Sequence, residues 1–387
     1  MYICISNHTI MKAFKSFVFT LAAAILPLAA VLMPSDAFAR KKAPVPVAFP
    51  ASSSEVVYTG RTLVHADTVG MSWSGVYGHV RFTGPSLTMD CRSDAKAILN
   101  VWVDKEMGAE ADTKVTVLTS DTTVVLAAGL GKGEHEVWFQ KRTEGSQGAL
   151  YINKYNVCGS LLPAGGAKAR LIEVIGDSYT CGFGTENSIR TDPFTPETEN
   201  CNYAYGCILA RYFGADYRLI SHSGIGVARN YGDGTGKTMV DRYPETFDAD
   251  REGNAWDFSS SRRPDIVVIY LGTNDFSRSK QPKMAYFVSK YCELIAQVKK
   301  AYGDDVPVLC VASRIDELAG AYVKASVQAC GYPRVEWMQL NERVHNDEDE
   351  LGASWHPNYK GQKKVAMSLI PYISTLTGWP LEEKAVL

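Results

Sequence analysis

The chain has 387 residues, 46% of them hydrophobic and 21% charged, which is enough apolar material for a sizeable core and, by length, about two domains. A formal net charge of −2 supplies no general attraction to nucleic acid or to anionic membranes, so neither is expected as a partner.

From Met11 the chain reads MKAFKSFVFTLAAAILPLAAVLMPSDAFAR. Lys12 and Lys15 precede an apolar run, and Ala37-Phe38-Ala39 has the small-x-small form of a cleavage site. Residues 1–39 are therefore expected to be an export signal cleaved near Ala39, with residues 1–10 an artefact of the start codon, and the mature protein to be secreted or periplasmic. Pro27 and Pro34 interrupt the apolar run and argue against a retained membrane helix. Removal of Cys4 with the signal leaves eight cysteines, an even number that permits disulfides in an exported chain. None has zinc-ligand spacing, and Cys310 with Cys330 is the pairing expected. Residues 40–50, RKKAPVPVAFP, are basic and proline-rich and predict an extended leader.

Over 51–162 short alternating runs recur about every ten residues: GHVRFTG, AILNVWVD, TKVTVLT, TTVVLAAGL, HEVWFQKRT and ALYINKYNV. Each is bounded by turn-forming residues and none carries a helical period, the pattern of an antiparallel jelly-roll sandwich. PAGGAK, at 163–168, reads as a linker. From 169 to 387 strands and helices alternate. RLIEVIGDS, DYRLISHSG, PDIVVIYLGTND and VPVLCVAS are buried strands, and YAYGCILARYFG and KMAYFVSKYCELIAQVKKAYG are amphipathic helices. The class expected is α/β, a three-layer domain with a mainly parallel sheet and helices on both faces, whose ligand site lies beyond the C-terminal ends of the strands.

The strand ends carry the chemistry. The first ends in Gly176-Asp177-Ser178, the second in SHSGIGVARNYG, the third in Gly272-Thr273-Asn274-Asp275, and SWHPNYKGQKK lies near the C-terminus. A bare GDS reads equally well as a strand-to-helix turn; the coincidence of four polar, glycine-containing segments at one rim is what favours chemistry. Acyl transfer to water needs a nucleophile, a base and donors for the oxyanion. Ser178 can be the nucleophile and His356 the base, with donors from the backbone at Ser178 and at a glycine of GIG, and from the Asn274 amide.

In this order GDSYTCG, SGIG, GTND and WHPN resemble the four blocks of the SGNH or GDSL hydrolases, and the preceding β-rich region, with GKGEHEVWFQKRTEG, makes the whole similar to the two-domain carbohydrate esterase family 2. That resemblance implies a flavodoxin-like catalytic domain behind the sandwich, with Ser178 as nucleophile, His356 as general base and Ser178, Gly226 and Asn274 as the oxyanion hole, Gly224 being the alternative to Gly226. It also implies an esterase that removes O-acetyl groups from plant cell-wall polysaccharide such as xylan or mannan, acting as a monomer without metal or other cofactor. A GDSL lipase or thioesterase-like hydrolase and a non-catalytic carbohydrate-binding protein are the rival readings. The wider superfamily has an aspartate three residues before the histidine, where this chain has Ala353. A Ser–His dyad, with the ring oriented by a backbone carbonyl or by Ser354, is therefore expected, with Asp347 and Asp349 the aspartates near in sequence. Trp355 is the candidate platform for a sugar ring or the acetyl methyl.

Overall fold

The computed structural model describes residues 45–234, 236–248, 254–313 and 317–383; the predicted export signal and residues 40–44 of the leader lie outside them. The first part is twelve strands in chain order: β1 (Val47–Pro50), β2 (Val57–Thr59), β3 (Thr62–His65), β4 (Thr68–Met71), β5 (Tyr77–Thr83), β6 (Leu87–Ser93), β7 (Ala97–Val103), β8 (Thr113–Val117), β9 (Thr122–Ala127), β10 (Glu134–Lys141), β11 (Leu150–Val157) and β12 (Leu161–Leu162). They form two antiparallel sheets, β3-β4-β11-β6-β9 with β1 added on β11, and β12-β5-β10-β7-β8 with β2 added on β5. Strand β6 shows why: Leu87, Met89, Cys91 and Ser93 are buried, while Thr88, Asp90 and Arg92 between them face outward. Phe82, Val101 and Phe139 of one sheet share a core with Met89, Ile152 and Tyr155 of the other.

The end of the expected leader is not free. Val47–Pro50 pairs antiparallel with β11, and Phe49 packs on the sandwich core, so this stretch covers backbone that an open edge would expose. The expected linker also lies against the sandwich, where Ala164 N–H donates to Glu55 O at 2.9 Å and Arg81 donates to Pro163 O at 3.1 Å.

Beyond it stands a five-stranded parallel sheet, β13 (Arg170–Gly176), β14 (Ala215–Ser221), β15 (Ile266–Tyr270), β16 (Val308–Ala312) and β17 (Val335–Gln339), in the order β14-β13-β15-β16-β17. Its helices are α1 (Ser178–Cys181), α2 (Tyr205–Phe213), α3 (Met239–Arg242), α4 (Met284–Tyr302), α5 (Glu317–Ala329) and α6 (Tyr359–Thr377). Alternate residues of β15 face opposite layers. Val267 and Ile269 join Phe287, Tyr291 and Leu294 of α4, whereas Val268 and Tyr270 join α2 and α6 through Ile208, Leu209 and Leu369. With β14 and β15 on opposite sides of β13, the strand order reverses at β13/β15, and a ligand site is expected at their C-terminal ends.

Cys310 and Cys330 are both free thiols, which corrects the expected bridge between them. Cys310 is fully buried in β16, while the Cys330 thiol, just past α5, donates to Val327 O at 3.2 Å.

Candidate active site

Strand β13 ends at Gly176, where a Cβ would stand 2.0 Å from Thr180 Oγ1, so the turn closes only on glycine. Asp177 caps α1 by accepting the Tyr179 N–H at 3.1 Å, and Gly182 ends that single turn in the left-handed region at φ +78°. Ser178 is thereby the first residue of a helix at the sheet rim. Its Oγ lies 2.9 Å from Nε2 of His356, 178 positions later in the chain.

His356 stands on a two-residue ladder between β18 (Leu351–Gly352) and β19 (His356–Pro357). Its Nδ1 lies 2.9 Å from Ser354 O, so Nδ1 carries the proton and Nε2 is left as the acceptor facing Ser178. Presenting that carbonyl takes two consecutive left-handed residues, Ser354 at φ +52° and Trp355 at φ +59°. Both are held by the 186–195 loop, with Ser354 N–H on Asp192 O and Trp355 N–H on Arg190 O, each at 3.0 Å. The ring is walled by Phe183 at 4.3 Å and Tyr179 at 5.4 Å between centroids, and Phe194 stacks on Phe183. This burial pushes the imidazole down to about 4, against the carbonyl contact that favours its charged form.

Among the described residues no carboxylate is hydrogen-bonded to His356. Asp349 is paired with Lys360, and Asp347 lies 3.7 Å from Lys364, both exposed. The other sequence-predicted residues divide. Asn274, after β15, is buried with its amide donating to Ile225 O at 2.8 Å and Asp177 Oδ2 at 3.2 Å. Gly226 is not a donor to the site: its N–H is taken by Asn230 Oδ1 at 3.0 Å, and the Asp275 carboxylate and Arg229 carbonyl crowd its Cα. Gly224, at φ +78°, lines the pocket instead, and its N–H has no acceptor among the described residues. Trp355 is 57% exposed at the rim.

Ser178, Gly224, Asn274, Trp355 and His356 border one open cavity of about 650 Å³, with Phe276, Tyr231 and Arg278 on its far wall. The Arg278 guanidinium lies 5.2 Å from the Tyr231 ring centroid. Sequence reasoning singled out neither Phe183 nor Asp275. Asp275 is fully buried and accepts three backbone N–H groups, from Val227, Ala228 and Arg229, at 2.7–3.0 Å, which fixes the loop after β14 to the loop after β15. Burial pushes its carboxyl up to about 6 despite these donors, and that of Asp177 up to about 7, where the Asp275 charge adds to burial. The adjacency of Asp275 to Asn274 in GTND was the signal available.

Residues 58–164 match the family model described as Carbohydrate esterase 2 N-terminal, and residues 174–364 match the GDSL-like Lipase/Acylhydrolase family. A solved family two carbohydrate esterase from Clostridium thermocellum, in complex with cellohexaose, superposes with a TM-score of 0.77 at 32% identity, covering 84% of this chain and all of the other. The chain belongs to carbohydrate esterase family 2. As a family 2 chain it is a carboxylic ester hydrolase by kinship, and its sandwich and SGNH-type domain are the two parts of that family's fold. It is 33% identical over 334 residues to the cellulase/esterase CelE of Acetivibrio thermocellus, of whose length it spans 40%. It is 27% identical over 329 residues to an acetylxylan esterase / glucomannan deacetylase of Cellvibrio japonicus, spanning 86% of that protein.

Proposed function

We propose that this family 2 chain is an exported esterase that hydrolyses O-acetyl groups of plant cell-wall polysaccharide of the xylan or mannan type through a serine–histidine pair. The observation that carries the reading is the 2.9 Å contact between Ser178 Oγ and His356 Nε2 at the floor of an open pocket. Ser178 Oγ attacks the acetyl carbonyl carbon while its proton passes to Nε2, and Nδ1 keeps its own proton on Ser354 O. The oxyanion is received by the N–H groups of Ser178 and Gly224 and by the Asn274 amide. Of the two Asn274 contacts, that to Asp177 at 3.2 Å is the longer and is the one released to the oxyanion. The sugar hydroxyl leaves with the proton from Nε2, and water, deprotonated by the same nitrogen, clears the acetyl-enzyme. Trp355 offers the apolar face on which a sugar ring stacks.

The substrate class rests on the named activities of the Cellvibrio japonicus relative and on the cellohexaose bound by the Clostridium thermocellum structure; export rests on the 11–39 segment. The test is acetate release from acetylated xylan, acetylated glucomannan and small aryl acetates by the wild type and by Ser178→Ala. Activity on a polymer, lost by more than about a thousandfold in the variant, is expected; a wild type that binds the polymers without releasing acetate would identify a binding protein instead.

A further inference from the structure

The strand β10 leads into a run, Lys141-Arg142-Thr143-Glu144, whose four residues are all at most 2% exposed. Three ionisable side chains in sequence are buried only where each finds partners. Lys141 donates to Thr143 O and Glu144 O. Arg142 crosses into the catalytic domain and holds Glu186 and Glu199 O, at a distance from the reacting atoms. Glu144 reaches a different place. Its Oε2 accepts the Ser223 N–H at 2.6 Å and the Cys181 thiol at 3.4 Å, and stands 4.0 Å from His222 Nδ1.

Cys181 closes α1, the turn that begins with Ser178, and Ser223 is the residue before Gly224. We propose that Glu144, a residue of the β-sandwich, is a positioning residue that sets the oxyanion loop against the nucleophile's helix. The inference rests on the catalytic reading above. The geometry behind it is a peptide segment pinned on both sides of the donor. Ser223 N–H is fixed by Glu144, Gly224 O accepts Tyr231 N–H at 2.8 Å, and Ile225 N–H closes on His222 O at 3.3 Å. With those contacts made, Gly224 keeps its left-handed conformation and an N–H with no other acceptor among the described residues. A carboxylate suits the role because an ionised acceptor makes the shorter and stronger bond to a backbone N–H. His222 lies 2.9 Å from Asp248 and 4.0 Å from Glu144, and the two carboxylates hold its imidazole above the ordinary range against the effect of burial, while Arg242 pairs with Asp248 at 3.0 Å.

The test compares Glu144→Ala, Glu144→Gln and Glu199→Gln, with Ser178→Ala as reference. Each is assayed for kcat and KM on an aryl acetate and for inhibition by an aryl boronic acid, a mimic of the tetrahedral adduct. Glu199 accepts the Glu144 N–H at 3.2 Å and its carboxylate lies within 4.8 Å of the Glu144 carboxylate and the Cys181 thiol, but it leaves the Ser223 N–H to Glu144, so its variant reports the cost of disturbing this buried cluster with the Ser223 acceptor kept. Glu144→Ala is expected to lower kcat by about 10- to 100-fold with KM nearly unchanged, and boronate affinity in parallel, since a displaced donor acts on the developed charge. Glu144→Gln keeps an acceptor for Ser223 and is expected to recover most of the loss, while Glu199→Gln stays near wild type. Wild-type kcat in Glu144→Ala beside an inactive Ser178→Ala would overturn the inference alone, as would an equal loss in Glu199→Gln. Activity surviving in Ser178→Ala would overturn the catalytic reading and the inference with it. If Glu144→Ala is insoluble, Glu144→Asp, which withdraws the oxygens by one methylene, carries the test: a kcat loss at unchanged KM supports the role and an unchanged kcat refutes it.

Discussion

Asn274 makes two hydrogen bonds in the resting site and must loosen one to serve an oxyanion, so its contribution appears only as charge develops. Asn274→Ala is expected to reduce kcat by about 10²- to 10³-fold with little change in KM; steady-state kinetics showing a change confined to KM would place the amide in ground-state binding. On the proposed mechanism His356 sets the pH dependence. Its folded value, pushed to about 4 by burial, lies below the ordinary 6.5, so the neutral base persists through mildly acidic solution and is lost as pH falls through about 4. The acid limb of kcat/KM is therefore expected well below 6.5, and a midpoint near 6.5 in a pH-stat assay would contradict it. The acids near the histidine in sequence are engaged with lysines instead. Asp347→Asn and Asp349→Asn, singly and together, are expected to keep kcat/KM within about tenfold of wild type, where loss of a triad acid costs about 10⁴.

At the scale of elements the orienting device of the proposed mechanism is the turn between β18 and β19, whose Ser354 carbonyl is delivered by backbone conformation. Ser354→Gly removes the hydroxyl and eases a left-handed residue while leaving the carbonyl in place. It is expected to hold kcat/KM within about tenfold of wild type, and a collapse comparable to losing a triad acid would show that the hydroxyl orients the ring. What was legible in the sequence follows the same physics. The strands β15 and β16 are continuous apolar runs because both faces are covered, and the polar ends of β13 to β15 announced the rim. Strand β17, with Val335 and Met338 buried but Glu336 and Gln339 exposed, lies at the sheet edge and carries too weak a pattern to read. Sequence spacing does not separate Gly224 from Gly226 in GIG, because it does not reveal which N–H a neighbouring side chain consumes; Asn230 takes that of Gly226. The left-handed pair at 354–355 left no trace in composition, since neither serine nor tryptophan favours that region.

Across the whole molecule the two parts share buried polar contacts that neither could satisfy alone. Arg61 of the sandwich donates to Tyr243 O and Glu245 O, Trp73 Nε1 to Thr246 O at 2.9 Å, and Tyr77 OH to Asp216 at 2.7 Å. Separation would exchange each of these contacts for water at a net cost of about 0.5–1.5 kcal/mol. Calorimetry is therefore expected to record one cooperative transition for the described region, and two resolved transitions would show the sandwich to be independently stable. The pairing of Ser178 with His356 bears in turn on how the protein is made. Because 178 positions separate nucleophile and base, a nascent chain exposes the serine long before its partner has been synthesised. Products that terminate early lack the base altogether, and the sandwich, emerging first, waits with Arg61 and Trp73 unmatched until residues 243–246 arrive. On the proposed serine–histidine mechanism, hydrolytic competence is thus withheld during biosynthesis and appears only once His356 has been added and folded back onto α1.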